Sequence, residues 1–260
     1  MMKQKILDPL KTLGVAAVII GIWAGLSAAG VFSSFVFPGP AKVWQAALAM
    51  AKSGELFTNL FHSLLRVLTG FCISFALAFG AGLAAALCPK ADPFYKPILE
   101  FMRNVPPMSL IPLLILWFGI GEVPKIIVIV LTSFFPIFMN TEAGLRNCDR
   151  DLLEVGQMLR MSRRDIFLKI RIPDALPDIL VGMQIGLGYS WRAIVGAEMI
   201  AAASGVGYMI LDAQALSRTD KVLVGIILIG VLGLVTDKLF GLAVKQVNRR
   251  MGQEVHDEHR

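Results

Sequence analysis

Ionisable side chains are scarce in the apolar stretches of this sequence, so the few that occur there are the first candidates for chemistry. Arg192 and Glu198 stand between two uncharged runs, Ile179 to Trp191 and Met199 to Leu211. A guanidinium inside an apolar helix costs about 2.5–3.5 kcal/mol on insertion scales. Two environments can hold it: a polar pathway, where it would attract an anion, or a shell of carbonyls or a carboxylate from another helix. Both readings stay open for Arg192. Glu198 is a poor partner on the same helix, because six residues place it about 120° around the axis. It is expected near the outer interface, where a carboxylate is cheap, in a structural or gating role or in none. His62 has no companion ligands and reads as packing. The run His256-Asp257-Glu258-His259 has metal-binding residue types, but a charged terminal run is more often a solvated, frayed end. Cys72, Cys88 and Cys148 have no paired spacing, which points to neither a disulfide framework nor a metal site. There is no Gly-x-x-x-x-Gly-Lys-Ser/Thr phosphate loop. Arg192 and Glu198 are too few for a catalytic constellation, which weighs against a membrane-embedded enzyme.

The elements that must position these residues follow from composition. Of 260 residues, 56% are hydrophobic and 17% charged, where a soluble domain carries about 25% charged. The mean hydropathy is +0.68. Leu13 to Phe32 and Val67 to Cys88 contain no charged residue, and further uncharged runs are Asn104 to Gly121, Ile126 to Thr141 and Val222 to Thr236. Roughly 20 helical residues cross a hydrocarbon core about 30 Å thick. The sequence therefore predicts an all-α polytopic membrane protein with six spans, near 13–32, 64–88, 98–119, 124–141, 177–203 and 221–245. The first could be a signal peptide, but its apolar run is long and no cleavage pattern follows, so it reads as a retained span. Three segments result: residues 1–63 with the first span, residues 64–248 as a five-helix core, and a tail at 249–260. After Phe37-Pro38-Gly39-Pro40, Val43, Ala46, Ala47 and Met50 recur at helical spacing opposite Lys42, Gln45 and Lys52, as in a short interfacial helix.

Positive charge orients the chain. With both termini in the cytoplasm, 18 of the 25 lysines and arginines fall inside. Only Lys42, Lys52, Arg66, Lys125, Arg218 and Lys221 fall outside, and Arg192 lies within a span. This is a positive-inside signal, and it explains the net charge of +6 without a nucleic-acid partner. Pro106, Pro107 and Pro112 interrupt the third span and Pro136 the fourth. Gly70, Gly80 and Gly82 in the second span, and Gly182, Gly186 and Gly188 in the fifth, suit close helix packing or a bundle that changes shape around a pathway.

The longest inner loop, about 142–176, is organised. Leu152, Leu153, Val155, Gly156 and Leu159 form an apolar stripe on a short helix starting near Asp151. Ser162-Arg163-Arg164-Asp165 reads as a capping box. A second helix carries Ile166, Phe167, Ile170 and Ile172 and is expected to stop at Pro173. Such a projection, with a basic outer face, suits a partner surface.

Glu154-Val155-Gly156, three residues, Arg160, nine residues, then Ile170-Arg171-Ile172-Pro173 resembles the EAA loop of binding-protein-dependent ABC importer permeases. That loop reads Glu-Ala-Ala, three residues, Gly, nine residues, Ile-x-Leu-Pro. Arg160 departs from it at the turn glycine; if the turn needs a positive φ, Arg there costs on the order of 1 kcal/mol. Arg103-Asn104-Val105-Pro106-Pro107, Trp117-Phe118-Gly119-Ile120-Gly121-Glu122, Phe134-Phe135-Pro136, Ala197-Glu198-Met199, Ser204-Gly205-Val206-Gly207-Tyr208 and Arg218-Thr219-Asp220 resemble the nitrate/sulfonate/taurine branch in family order.

The resemblance implies a type I ABC importer permease fold in the bacterial inner membrane, two copies of which, as a homodimer, line a pathway for a small anion. Glu154, Gly156, Arg160, Ser162, Asp165, Phe167, Ile170 and Pro173 would form the coupling helix that docks on a cytoplasmic ATPase subunit. Arg192 and Glu198 are the pathway candidates. A periplasmic or lipid-anchored binding protein would deliver the solute, and ATP would be bound by the partner, leaving this chain without a cofactor. A stand-alone channel or ion-coupled carrier is the alternative, and it would have little use for the loop at 151–173.

Overall fold

The computed structural model describes residues 2–30 and 33–250, which are helical with no strand among them. The chain-terminal histidines at 256 and 259 lie outside the described residues, as does most of the 249–260 tail. In order, the helices are α1 (Met2–Ala28), α2 (Pro40–Lys52), α3 (Glu55–Leu87), α4 (Asp92–Asn104), α5 (Ile111–Phe118), α6 (Glu122–Arg146), α7 (Arg150–Met158), α8 (Arg163–Ile166), α9 (Ile172–Ala201), α10 (Val206–Ala215) and α11 (Thr219–Arg250).

The centre is built from α3, α6 and α9. Lipid tails are as apolar as leucine, so helices associate in a membrane through close packing and hydrogen bonds, and small residues at the contacts set how near the backbones come. A Cβ on Gly182 would lie 2.7 Å from the Asn140 Cβ and 2.9 Å from the Pro136 carbonyl oxygen, and one on Gly186 would lie 3.2 Å from the Ser133 carbonyl. Gly70 is pressed against Ile129, and Gly82 against Thr141. The close-packing reading therefore holds at these four positions. Gly80 faces open space and does not share that role. Val67, Ile129, Trp191 and Ile194 fill the centre of the contact, and the Ser74 hydroxyl donates to the Val130 carbonyl at 3.1 Å.

Among the described residues, three helices are long and apolar enough to cross a membrane: α3, α6 and α11. Two bent pairs raise the number to five if each is one span. Gly14–Ala28 in α1 is a shorter apolar helix. The expected third span is not a single straight helix: α4 and its continuation through α5 are bent by 82°. Pro106 and Pro107 remove two successive amide donors, and Val105 is extended at φ −81°, ψ 118°. The fifth span likewise bends by 47° into α10. Pro136, by contrast, does not interrupt its span, since α6 runs through it.

Two other expectations are corrected. The apolar face of α2 is covered by protein instead of lying in the interface: Val43, Ala46 and Met50 are buried against Val206, Met209, Ile210 and Val224, while Trp44 and Leu48 on its other side remain exposed. The second loop helix does not stop at Pro173. A π turn over Phe167–Arg171 carries it into α9, with the Ile172 amide donating to the Phe167 carbonyl five residues back. Widening the turn by one residue accommodates a proline that cannot donate and whose ring would crowd a normal turn.

Candidate functional site: a coupling projection, a buried charge cluster and an arginine-bearing face

The loop projection is assembled by local rules. Asp149 caps α7, its Oδ1 accepting from the Asp151 amide at 2.9 Å. At the other end the Met161 amide reaches the Gly156 carbonyl at 3.0 Å and the Arg160 amide reaches the Gln157 carbonyl at 2.9 Å. This paired closure satisfies the last carbonyls of the helix and requires a left-handed residue between them. Arg160 is that residue, at φ +49°. The turn keeps its shape, and Arg160 carries the strain, on the order of 1 kcal/mol. Ser162 then caps α8: its Oγ accepts from the Asp165 amide at 3.1 Å and donates to Asp165 Oδ2 at 2.6 Å. Lys169 lies 2.7 Å from the same carboxylate. That ammonium first, and the Ser162 hydroxyl second, hold the Asp165 carboxyl below the usual carboxylate range.

Gly156 joins the two short helices. It is buried, and a Cβ there would come within 2.7 Å of Ile170 Cδ1 and 3.2 Å of Ile166 Cγ1. Phe167 packs on the cluster of Ala86, Leu145, Ala175 and Ile179, which ties the projection to α3, α6 and α9. Since α8 continues through the π turn into α9, the second half of the projection and the span behind it form one helical run from Arg163, bent only beyond Ala201, and α7 joins it through the turn at Arg160. The projection's outer surface is mixed: Val155 is 52% exposed, Met158 81% and Leu159 69%, and the basic side chains Arg160, Arg163, Arg164 and Lys169 are exposed with them. Glu154 is exposed beside them and has no hydrogen-bond or ion-pair partner among the described residues.

The opposite end of the bundle holds a cluster of charges that the sequence did not bring together. Glu198 is fully buried, so the expectation of a cheap interfacial carboxylate is wrong. It accepts from Ser63 Oγ at 2.8 Å, from Arg66 at 2.7 Å and from the Gly207 amide at 3.0 Å. Arg66 also makes a two-pronged pair with Glu122, at 2.6 and 2.9 Å, and reaches the Ser204 carbonyl and hydroxyl. Lys125 completes the group, 2.8 Å from Glu122. Arg66 and Lys125, assigned to the outer loops from charge counting, are 7% and 3% exposed. A buried charge persists only when paired and hydrogen-bonded, and here the pairs staple α3, the start of α6, the end of α9 and the link to α10. Gly205, at φ +116°, lies so close to the Glu198 carboxylate that no Cβ fits. Glu198 thereby ties Ser63 and Arg66 of α3 to the Gly207 amide at the bend between α9 and α10.

Arg192 is placed differently. It is exposed on the protein surface, with its guanidinium carbon 5.5 Å from the centre of the Tyr189 ring. Tyr189 lines a cavity of about 370 Å³ together with Arg103, Thr132, Phe135, Met139 and Ile185. The structure thus does not bring Arg192 and Glu198 into one site; they occupy separate places on α9.

The fold and these placements can be set beside known proteins. Residues 76–250 match the family described as the binding-protein-dependent transport system inner membrane component. The chain belongs to this family. The permease is 39% identical over 238 residues to a putative aliphatic sulfonates transport permease protein, SsuC, of Bacillus subtilis (strain 168), covering 92% of this chain and 86% of that one. It is 33% identical over 245 residues to the taurine transport system permease protein TauC of Escherichia coli (strain K12), covering 92% and 88%. It is also 33% identical over 192 residues to the nitrate import permease protein NrtB of Leptolyngbya laminosa, covering 74% and 69%. Among solved structures, an amino acid ABC transporter superposes with a TM-score of 0.62 at 18% identity, over 76% of this chain and 97% of that one. An inward-facing MetNI methionine ABC transporter does so at 0.59 and 16%, over 73% and 96%. These likenesses establish the type I importer permease fold. The permease is accordingly the inner-membrane transport subunit of an ATP-driven importer and not an enzyme, with ATPase and substrate-binding proteins as its partners.

Proposed function

We propose that the permease imports a small anion of the sulfonate, taurine or nitrate kind, and that α7 and α8 are the coupling helices through which its ATPase drives transport. The observation that carries this reading is the construction of the projection. Its exposed tip bears Glu154, Val155, Met158 and Leu159, and its base is continuous with α9, the span that carries Arg192. An apolar tip edged by charge fits a partner's groove, since interface cores are apolar and their rims polar. The tip on α7 meets α8 through the turn at Arg160 and through the close contact of Gly156 with Ile166 and Ile170, and α8 runs on into α9, so a displacement of the tip is passed to α9 through packed contacts.

The ATPase subunits bind the nucleotide, and this chain contributes no cofactor. Two copies face each other as a homodimer, with both termini and the coupling projection in the cytoplasm and the Arg66–Glu198 cluster toward the outer face. Glu154 pairs with a basic group of the ATPase, and Arg192 faces the pathway. Support for the anion comes from that exposed guanidinium on a membrane-embedded helix and from the sulfonate, taurine and nitrate permeases among the relatives. The test is uptake by the reconstituted importer carrying Glu154→Lys. ATP-driven uptake is expected to fall at least tenfold with membrane insertion intact, and wild-type uptake in this variant would rule out coupling through the projection.

A further inference from the structure

The cationic side chains of the membrane-embedded region divide into two groups. Arg66, Lys125 and Arg146 each contact one or more carboxylates: Arg66 with Glu122 and Glu198, Lys125 with Glu122, Arg146 with Asp92 and Glu142. Arg103 and Arg192 have no carboxylate partner among the described residues. Arg192 rests over the Tyr189 ring, and Arg103 donates to the Met139 thioether at 3.2 Å, which is a weak acceptor. Both guanidiniums therefore keep unused donors, and Arg103 and the ring beneath Arg192 line the same cavity of about 370 Å³. An unpaired charge facing lipid is costly, so a face bearing one favours a polar cavity or another protein surface over lipid. Met139 lies seven residues before the end of α6 at Arg146, about 10 Å up the helix. Arg103 thus lies on the cavity wall, although charge counting placed it with the inner loops.

We infer that the cavity between Arg103 and Tyr189 is a resting site for an organic anion with a short apolar tail, of the alkanesulfonate class, held at its charged end by Arg103 and handed to it from Arg192. The inference rests on the importer reading above. The chemistry of the walls selects the ligand: Phe135, Met139 and Ile185 offer apolar surface, and Arg103 offers a planar fork that suits a multi-oxygen anion. A purely inorganic anion would leave the apolar walls unused. The volume lies in the range of ligand pockets, about 300–1,000 Å³. Beyond Arg103 the adjoining cavity carries Lys96 together with Glu100 and Glu142. Positive charge is offset there by carboxylates, so an anion leaving Arg103 toward the cytoplasm meets no deeper trap.

The experiment uses the complete importer, permease with its ATPase and binding protein, in proteoliposomes, and the purified permease–ATPase complex for binding. The probes are radiolabelled methanesulfonate and butanesulfonate, with nitrate and the neutral butanesulfonamide for comparison. The complex is expected to bind butanesulfonate saturably and more tightly than methanesulfonate, and not to bind butanesulfonamide. Arg103→Gln is expected to weaken binding and uptake at least tenfold, and Arg103→Lys to restore part of it. Phe135→Ala is expected to narrow the difference between the two sulfonates. If Arg103→Gln does not co-purify with the ATPase, Arg103→Lys and Phe135→Ala decide. Wild-type sulfonate affinity in Arg103→Gln, or an unchanged chain-length preference in Phe135→Ala, overturns the resting site and leaves the importer reading standing. Uptake of neutral solutes with none of sulfonate or nitrate overturns the anion reading itself.

Discussion

Arg66→Met removes the hub of the charge cluster with little change in side-chain length. Arg66 donates to Glu122 twice, to Glu198 once and to Ser204 twice, at 2.6–2.9 Å. Glu122 retains Lys125 as a counter-ion, and it is half-exposed, so its loss is small. Glu198 retains only the Ser63 hydroxyl and the Gly207 amide, and it is fully buried. Breaking a buried pair from one side costs about 3–5 kcal/mol, because the remaining charge is left uncompensated. At about 2–4 °C per kcal/mol for a chain of this size, the melting temperature in detergent is expected to fall by roughly 10 °C. Glu198→Gln keeps the geometry, and Arg66 keeps Glu122, so its loss is smaller, about 1–3 kcal/mol. The double variant Arg66→Met/Glu198→Leu leaves no unpaired buried charge, since Lys125 keeps Glu122, and is expected to be more stable than Arg66→Met alone. The assay is thermal unfolding of the purified permease, followed by fluorescence-detected gel filtration. A melting temperature for Arg66→Met within 2 °C of wild type, or strictly additive losses in the double variant, would refute the argument.

Other expectations follow from single contacts. Gly156→Ala is expected to be nearly neutral, because the atom it meets is the movable end of Ile170 and alanine favours a helix by about 1 kcal/mol. Gly156→Leu should separate α7 from α8 and lower ATP-driven uptake sharply while the spans stay folded, as read by proteoliposome uptake beside circular dichroism. Gly182→Val places a branched side chain against the Pro136 carbonyl, a backbone atom that cannot swing away. It should cost about 1–3 kcal/mol, visible as a lowered melting temperature. Arg160→Gly relieves the left-handed strain at φ +49° and should stabilise the projection by on the order of 1 kcal/mol, measured as slower proteolysis of the 150–173 segment.

The parts of this architecture governed by local rules were readable in advance. The capping residue Ser162, the short helix from Arg150 and the need for a turn at Arg160 all follow from neighbours within a few positions. Long-range pairing was not readable. Arg66 meets Glu122 and Glu198 across separations of 56 and 132 residues, and no spacing rule connects them. One signal was available: Arg66 sits in the middle third of the 33-residue helix α3, where an unpaired arginine would be costly. Starting that span near residue 64 instead of 55 hid the cost. Pro173 misled for a different reason. A proline ends a normal α-turn, but one extra residue in a π turn absorbs it, and that choice depends on Phe167 packing against three other helices. The proline pair at Pro106 and Pro107 did mark the break between α4 and α5, although the 82° angle depends on packing against α6 and α9.

The central claim is that ATP turnover by a partner moves this permease through α7 and α8. The most direct measurement is uptake of radiolabelled taurine or butanesulfonate into proteoliposomes holding the permease with its ATPase and its binding protein, with each component omitted in turn. Uptake is predicted to require ATP and all three proteins, and to be lost in Glu154→Lys and Gly156→Leu. Equal uptake by the permease alone, or full uptake in both loop variants, would contradict the account.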